Sequence, residues 1–278
     1  LFSFSNEVLL EVGLLKGYLW YSFPFKNFIS MRSLFLVLCL LIHAETHAQQ
    51  EKFLVSNGKK LPLKEFVVNG EYEARLPFIL FLHGAGERGS DNVAQTKVGL
   101  PVFMETLKAA GLEHYILWAP QCPSVQRWTD VDWKAVVHTM KKNPTWPMEV
   151  LMHSIDSLVA NSTIIDTRRM YIAGLSMGGY GTWEYIARQP YRFASAMPVC
   201  GGGDIAQAKN NTQTAVWAFH GEADNVVPFE NSVRMVNATK KVNTNVHLIS
   251  YPDVKHDSWN RAFAEKKIVR DFISTRKK

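Results

Sequence analysis

Cysteine is scarce: three in 278 residues, none in a Cys-x-x-Cys pair. That excludes a zinc ribbon and a disulfide-dense scaffold. There is no His-Glu-x-x-His run and no clustering of His with Cys, so no metal or other cofactor is expected. Blocks of one charge are also missing. Lys and Arg number 31 against 25 Asp and Glu, a net charge of +6, and the longest basic run is the tail Arg276-Lys277-Lys278. A nucleic-acid partner is therefore not expected. No apolar run approaches the roughly 20 residues that span a bilayer. There is no internal repeat or low-complexity stretch. What remains is ordinary, 47% hydrophobic and 20% charged, the make-up of a globular protein whose length suits one large α/β domain.

The first 48 residues read differently from the rest. Met31 is followed by Arg32, then by the nine-residue apolar run Leu34 to Ile42, then by Thr46-His47-Ala48 before Gln49. A charged start, a short apolar middle and a small-x-small end describe a secretory signal peptide over 31–48. Residues 1–30 read as an upstream extension of the gene model, and 49–278 as a single catalytic domain. Export would permit a disulfide between Cys122 and Cys200. Two buried free thiols are the alternative.

Beyond residue 49, short apolar runs alternate with helical patterns. Phe78–Leu82, Tyr115–Ala119, Met170–Ala173, Ala194–Val199, Ala215–Phe219 and Val246–Tyr251 are continuous rather than alternating, as expected of strands covered on both faces. Met148, Leu151, Met152, Ile155, Leu158 and Val159 form one helical stripe, with Pro147 near its start. Gly178–Gln189, stopped by Pro190, and Arg261–Ile273 read as two more helices. Strand-helix alternation predicts an α/β fold with a mostly parallel sheet and helices on both faces.

The chemistry concentrates at strand ends. Gly174-Leu175-Ser176-Met177-Gly178 is a G-x-S-x-G pentapeptide between the strand MYIA and a helix, where a sharp turn lifts a serine hydroxyl above the sheet edge. Asp224 lies in HGEADNVVP after AVWAF, and His256 follows the last strand. The C-terminal ends of parallel strands share one edge, so Ser176, Asp224 and His256 can converge as nucleophile, acid and base. Asp204 is the rival acid; Asp253 and Asp257 stand too near His256 in sequence to orient it easily. His83 and His220, each before a glycine at a strand end, read as shape-setting. Gly84-Ala85-Gly86-Glu87-Arg88-Gly89 formally matches a dinucleotide fingerprint. The next strand, however, ends Ala119-Pro120-Gln121 without the carboxylate that a ribose needs. Its glycines instead suit a loop that turns the Ala85 N–H toward a developing oxyanion, with the Met177 N–H as second donor.

The stretch Phe81–Asn92 (FLHGAGERGSDN), then APQCP at 119–123, GLSMGGYG at 174–181 and HGEADNVVP at 220–228 resemble the secreted serine esterases of the α/β-hydrolase superfamily. The nearest group is that of predicted peptidases or phospholipase/carboxylesterase-like proteins. It borders on the feruloyl and acetyl-xylan esterases of carbohydrate esterase family one and on the dienelactone hydrolases. The resemblance covers roughly residues 52–275. It implies an α/β-hydrolase fold, no cofactor, an acyl-enzyme on Ser176 with Asp224 and His256 as partners, and a small-molecule or polysaccharide ester as substrate. In the long segment Gln121–Trp146, and just after His256, Trp128, Trp133 and Trp259 are candidates to stack on a phenolic acyl group or a sugar. Core or lid packing is the alternative for them. A prolyl-peptidase-like enzyme would use the same three residues, but its usual gating domain has no room here. A catalytically dead binding protein is disfavoured because all three residue types are present.

Overall fold

The computed structural model describes residues 48–68 and 75–277. The expected signal segment and everything upstream of it lie outside the described residues, apart from Ala48, which opens the first strand.

That strand, β1 (Ala48–Ser56), pairs antiparallel with β2 (Lys59–Val68). Asn57 and Gly58 make the connection at φ of 49° and 72°. Left-handed geometry at both central residues matches the twist of a two-residue hairpin, and Asn-Gly is the pair that adopts it most readily. β2 also pairs antiparallel with β4 (Tyr115–Pro120). From there the sheet is parallel through β3 (Leu76–Leu82), β5 (Ile165–Leu175), β6 (Ser195–Val199), β7 (Ala215–Gly221) and β8 (Val246–Tyr251). The order across the eight strands is β1-β2-β4-β3-β5-β6-β7-β8. Every residue of β3, β4, β6 and β7 is buried, which explains their unbroken apolar runs.

Alternate residues feed two cores. On one face Phe78, Leu80 and Ile172 pack with Met148, Leu151 and Ile155 of α2 (Trp146–Asn161), Trp183 of α3 (Met177–Arg188) and Met235 of α4 (Glu230–Lys240). On the other, Ile79, Phe81, Leu117 and Tyr171 pack with Phe103 of α1 (Leu100–Ala109), Ala262 of α5 (Trp259–Ala262) and Phe272 of α6 (Lys266–Ser274). The helix expected at 261–273 is thus two shorter helices, with Phe263 turned into the core at the break. The expected fold, an α/β-hydrolase with helices on both faces of a mostly parallel sheet, is the one observed. What the sequence reading passed over is the antiparallel hairpin β1–β2.

Candidate active site

Between β5 and α3 the chain reverses through Ser176, whose φ of 53° and ψ of −115° are strained for a side-chain-bearing residue. Such a conformation costs about 1–3 kcal/mol and persists only where its surroundings enforce it. Glycines on either side do that. A Cβ on Gly178 would stand 2.0 Å from the Leu82 carbonyl oxygen, and one on Gly174 would stand 2.3 Å from that of Gly178. Helix α3 therefore starts against the bare backbone of β3 and β5. The Ser176 N–H donates to Val199 O across to β6, and Tyr180 N–H donates back to Ser176 O. The serine is nearly buried, at 9% exposure.

Its hydroxyl lies 2.9 Å from His256 Nε2, and His256 Nδ1 lies 2.8 Å from Asp224 Oδ2. A carboxylate only accepts, so Nδ1 carries the proton, and in the neutral ring Nε2 is left to accept from Ser176. Asp224 follows β7 and His256 follows β8. The imidazole is 18% exposed and the carboxylate 0%. The backbone N–H groups of Val226 and Val227 donate to Asp224 Oδ1 at 2.8 and 2.9 Å. Burial opposes the charge on Asp224. Hydrogen bonds from His220, His256, Val227 and Val226 outweigh it and hold the carboxyl well below the usual carboxylate range.

The other sequence candidates fall as follows. Asp204 is spent elsewhere: Oδ1 accepts from Ala206 N–H and Oδ2 from Met140 N–H, capping a short 3₁₀ turn (Ile205–Asn210) and tethering the 121–146 segment. Asp253 and Asp257 are exposed. Ala85 opens a 3₁₀ turn after β3, and Met177 is the first residue of α3; an amide at the start of a helix has no acceptor within it. A Cβ on Gly84, beside Ala85, would come 3.7 Å from the Ser176 Cβ. Trp259 sets its ring edge-on to His256, centroids 5.4 Å apart. Trp133 lies half-buried beneath the Arg127 guanidinium at 4.6 Å. Trp128 requires a correction: it is 0% exposed, and its indole N–H donates to His83 O. Its ring is core, closed to any substrate.

His83 is the pin of that region. Its Nδ1 sits 2.6 Å from Gly84 O, and its Nε2 accepts from Cys122 N–H at 2.9 Å, which fixes a neutral ring. Burial, with the nearby Arg88 charge, lowers its pKa from 6.5 to about 4 despite the Gly84 hydrogen bond. Below pH 6.5 the unfolded chain takes up a proton that the folded ring refuses until about pH 4. The stabilisation is complete above 6.5 and is lost as pH falls through that window. Unfolding in urea should show the folded state weaker at pH 5 than at pH 7 by about 2 kcal/mol from this group. His83→Gln should flatten that slope. A slope unchanged in the variant contradicts the assignment.

Both described cysteines are free and buried. One signal that the sequence reading missed lies here. Cys200, at φ 40° after β6, places its sulfur within 4.8 Å of a ligand atom of both Asp224 and His256. These three could in principle offer S, O and N donors. Asp224 and His256 already face each other, however, and burial followed by the Asp224 charge pushes the Cys200 thiol far above the range where it becomes a thiolate ligand. His220 was also under-read: it touches the carboxylate itself.

The family model for phospholipase/carboxylesterase matches residues 63–276. An uncharacterized secreted protein of Arthroderma benhamiae is 28% identical over 182 residues, covering 61% of this chain and 17% of that one. The crystal structure of a thermostable esterase is 29% identical with a TM-score of 0.70, covering 82% of this chain and 63% of its own. An acylaminoacyl peptidase of Pyrococcus horikoshii, at 13% identity and a TM-score of 0.62, covers 86% and 44% and shares the fold. The chain thus spans under a fifth of the curated relative and under two thirds of the esterase.

Proposed function

This chain belongs to the phospholipase/carboxylesterase family of α/β-hydrolases, and on that premise we propose that it is a secreted serine carboxylic-ester hydrolase working through an acyl-enzyme on Ser176. The observation that carries the proposal is the hydrogen-bonded line from Ser176 Oγ through both ring nitrogens of His256 to Asp224. A serine hydroxyl is a weak nucleophile at neutral pH and needs a base in reach. His256 Nε2 takes its proton as Oγ adds to the ester carbonyl. Asp224 holds the ring in the required tautomer and stabilises the imidazolium that forms. The Met177 and Ala85 N–H groups bind the negative oxygen of the tetrahedral intermediate, with the N-terminus of α3 adding its dipole. His256 then protonates the departing alkoxide, and water, activated by the same ring, releases the acid.

Carbohydrate-linked or phenolic esters are the favoured substrate class. Trp259 supports this, because a half-buried aromatic ring beside the base can pack on a sugar or a phenolic acyl group. Export is supported by the signal-like segment 31–48 and by a relative described as secreted. Among the described residues no helix is long and apolar enough to cross a membrane.

A panel of p-nitrophenyl esters, methyl ferulate, acetylated xylan and peptide anilides tests the assignment. An amine must be protonated as it leaves whereas a phenoxide departs unaided, so esters should turn over at least 100-fold faster (about 3 kcal/mol in barrier) than anilides. Anilides cleaved as fast as phenyl esters would make the enzyme a peptidase.

A further inference from the structure

Asp224 Oδ2 serves two imidazoles. Besides His256 Nδ1 at 2.8 Å, it faces His220 Nε2 at 3.2 Å. We propose that His220 is a positioning residue for the reaction, the second donor that fixes the Asp224 carboxylate in the plane His256 requires. The inference rests on the assignment of Asp224 as the acid.

The protons can be counted. His220 Nε2 faces only acceptors, Asp224 Oδ2 and Val227 O at 3.1 Å, so it carries a hydrogen shared between them. Nδ1 lies 2.7 Å from Ser232 Oγ, which is also 2.9 Å from Gly201 O. Where the serine donates to Nδ1, the neutral ring carries its one hydrogen on Nε2. Where it donates to Gly201 O, Nδ1 donates to the serine and the ring carries a hydrogen on both nitrogens. In each arrangement the Nε2–H points at the carboxylate. His220 and Ser232 are closed to solvent at 0% and 1% exposure, and the Phe229 ring stands edge-on to His220 at 5.7 Å. Each of these hydrogen bonds is strengthened by its buried, low-dielectric surroundings.

The arrangement is more than a satisfied core histidine. Oδ1 of Asp224 is held by two backbone amides and Oδ2 by two rings, so the carboxylate cannot rotate without breaking a bond at both ends. Removing His220 frees one end, and the oxygen that His256 uses can tilt away. The line also extends beyond the acid. Ser232 ties His220 to Gly201, and a Cβ on Gly201 would lie 2.5 Å from the Gly179 carbonyl carbon in the first turn of α3. The carboxylate is thereby referenced to the same backbone that aims Ser176.

Four variants decide the matter, assayed on p-nitrophenyl acetate with active-site titration by a fluorophosphonate to count competent enzyme. His220→Leu should lower kcat by about 30- to 100-fold with KM within about threefold, because the loss acts on proton transfer and not on ester binding. His220→Gln, which can place an amide N–H near the same point, should recover kcat to within about fivefold of wild type. Ser232→Ala, which leaves the ring in place, should cost about three- to tenfold. Adding His220→Leu to Asp224→Asn should cost almost nothing more, since a residue acting through another cannot be lost twice. A His220→Leu enzyme within threefold of wild type, a glutamine variant no better than leucine, or additive losses with Asp224→Asn would overturn the proposal. Should His220→Leu fail to fold, wild-type kcat in Ser232→Ala overturns it as well. A fully active Asp224→Asn would instead remove the acid assignment itself, a separate result.

Discussion

Ser176→Ala is expected to lower kcat by about 10⁴-fold or more, leaving a residual rate still above the uncatalysed one. The hydroxyl is the only group at the strained turn that can form a covalent intermediate. Without it no acyl-enzyme can form, and His256 is left only to activate water for direct attack on an ester that the site does not align for it. The Met177 and Ala85 amides would remain and account for the residual rate. Folding should barely notice. The hydroxyl contributes one hydrogen bond, to His256, and alanine is no worse placed than serine at a positive φ. Wild-type thermal unfolding with lost activity is therefore the expected pair of results. A serine-directed fluorophosphonate should label Ser176 alone, as read by peptide mass spectrometry. Activity near wild type in the alanine variant, or labelling of another serine, would refute the mechanism.

Asp224→Asn is expected to cost on the order of 10³- to 10⁴-fold, and the surroundings of the side chain explain why so small a change matters. All four neighbours of the carboxylate are donors: two amides at Oδ1, two imidazoles at Oδ2. An asparagine must turn its NH₂ toward one pair or the other. Facing the rings, it forces His256 Nδ1 to become an acceptor, puts the ring proton on Nε2 and leaves Ser176 without a base. Facing Val226 and Val227, it sets donor against donor in a buried place, at a cost of about 1–3 kcal/mol, and pulls the side chain off its mark. Asp204→Asn is the matching control. Asp204 caps a turn and accepts from two backbone amides that take no part in this exchange of protons, so its loss should change kcat by only about a few-fold. A larger loss at Asp204 than at Asp224 would move the acid without touching Ser176 or His256.

Much of this was legible before the structure because the informative residues lie just past strands of one parallel sheet, most of them buried on both faces. MYIA and AVWAF announce themselves by continuous hydrophobicity, the edge strand ending at Tyr251 less so because it is only partly buried, and a parallel sheet gathers their ends. The hairpin was not legible in that way. β2 carries Lys59, Lys60, Lys64 and Glu65, and Pro62 sits inside a strand that is paired on both sides, a place proline normally avoids. The Asn57-Gly58 pair was the available signal. Trp128 misled because an aromatic in a loop near a site can as easily hold the loop down as face a substrate. Its complete burial and its contact with the His83 carbonyl distinguish the two. Cys200 and His220 were under-read for a related reason. Both sit in apolar or glycine-rich strand ends that suggest packing alone. Cys200 nears Asp224 because β6 and β7 are adjacent in the sheet, and His220 nears it because the turn after β7 folds back over four residues.

The junction of β5 and α3 has a consequence for how this protein tolerates change. Replacing glycine by alanine within a helix ordinarily stabilises it by about 1 kcal/mol, and a thermostability campaign would mark Gly178, Gly179 and Gly181 as easy gains. Here the rule inverts. At Gly178 a methyl group would meet the Leu82 carbonyl oxygen at 2.0 Å, and at Gly179 the Val199 carbonyl oxygen at 2.4 Å. Both obstacles are main-chain atoms of the sheet, unable to rotate aside as a side chain could. At Gly181 the obstacles are the side chains of Leu82 and Trp128, each 2.9 Å away, and the immobile indole leaves little room to yield. In a library of random substitutions, the helix with the weakest intrinsic propensity would emerge as the segment least open to improvement. Engineering for heat resistance therefore has to work on the outer helices and the surface, leaving this seam as it stands.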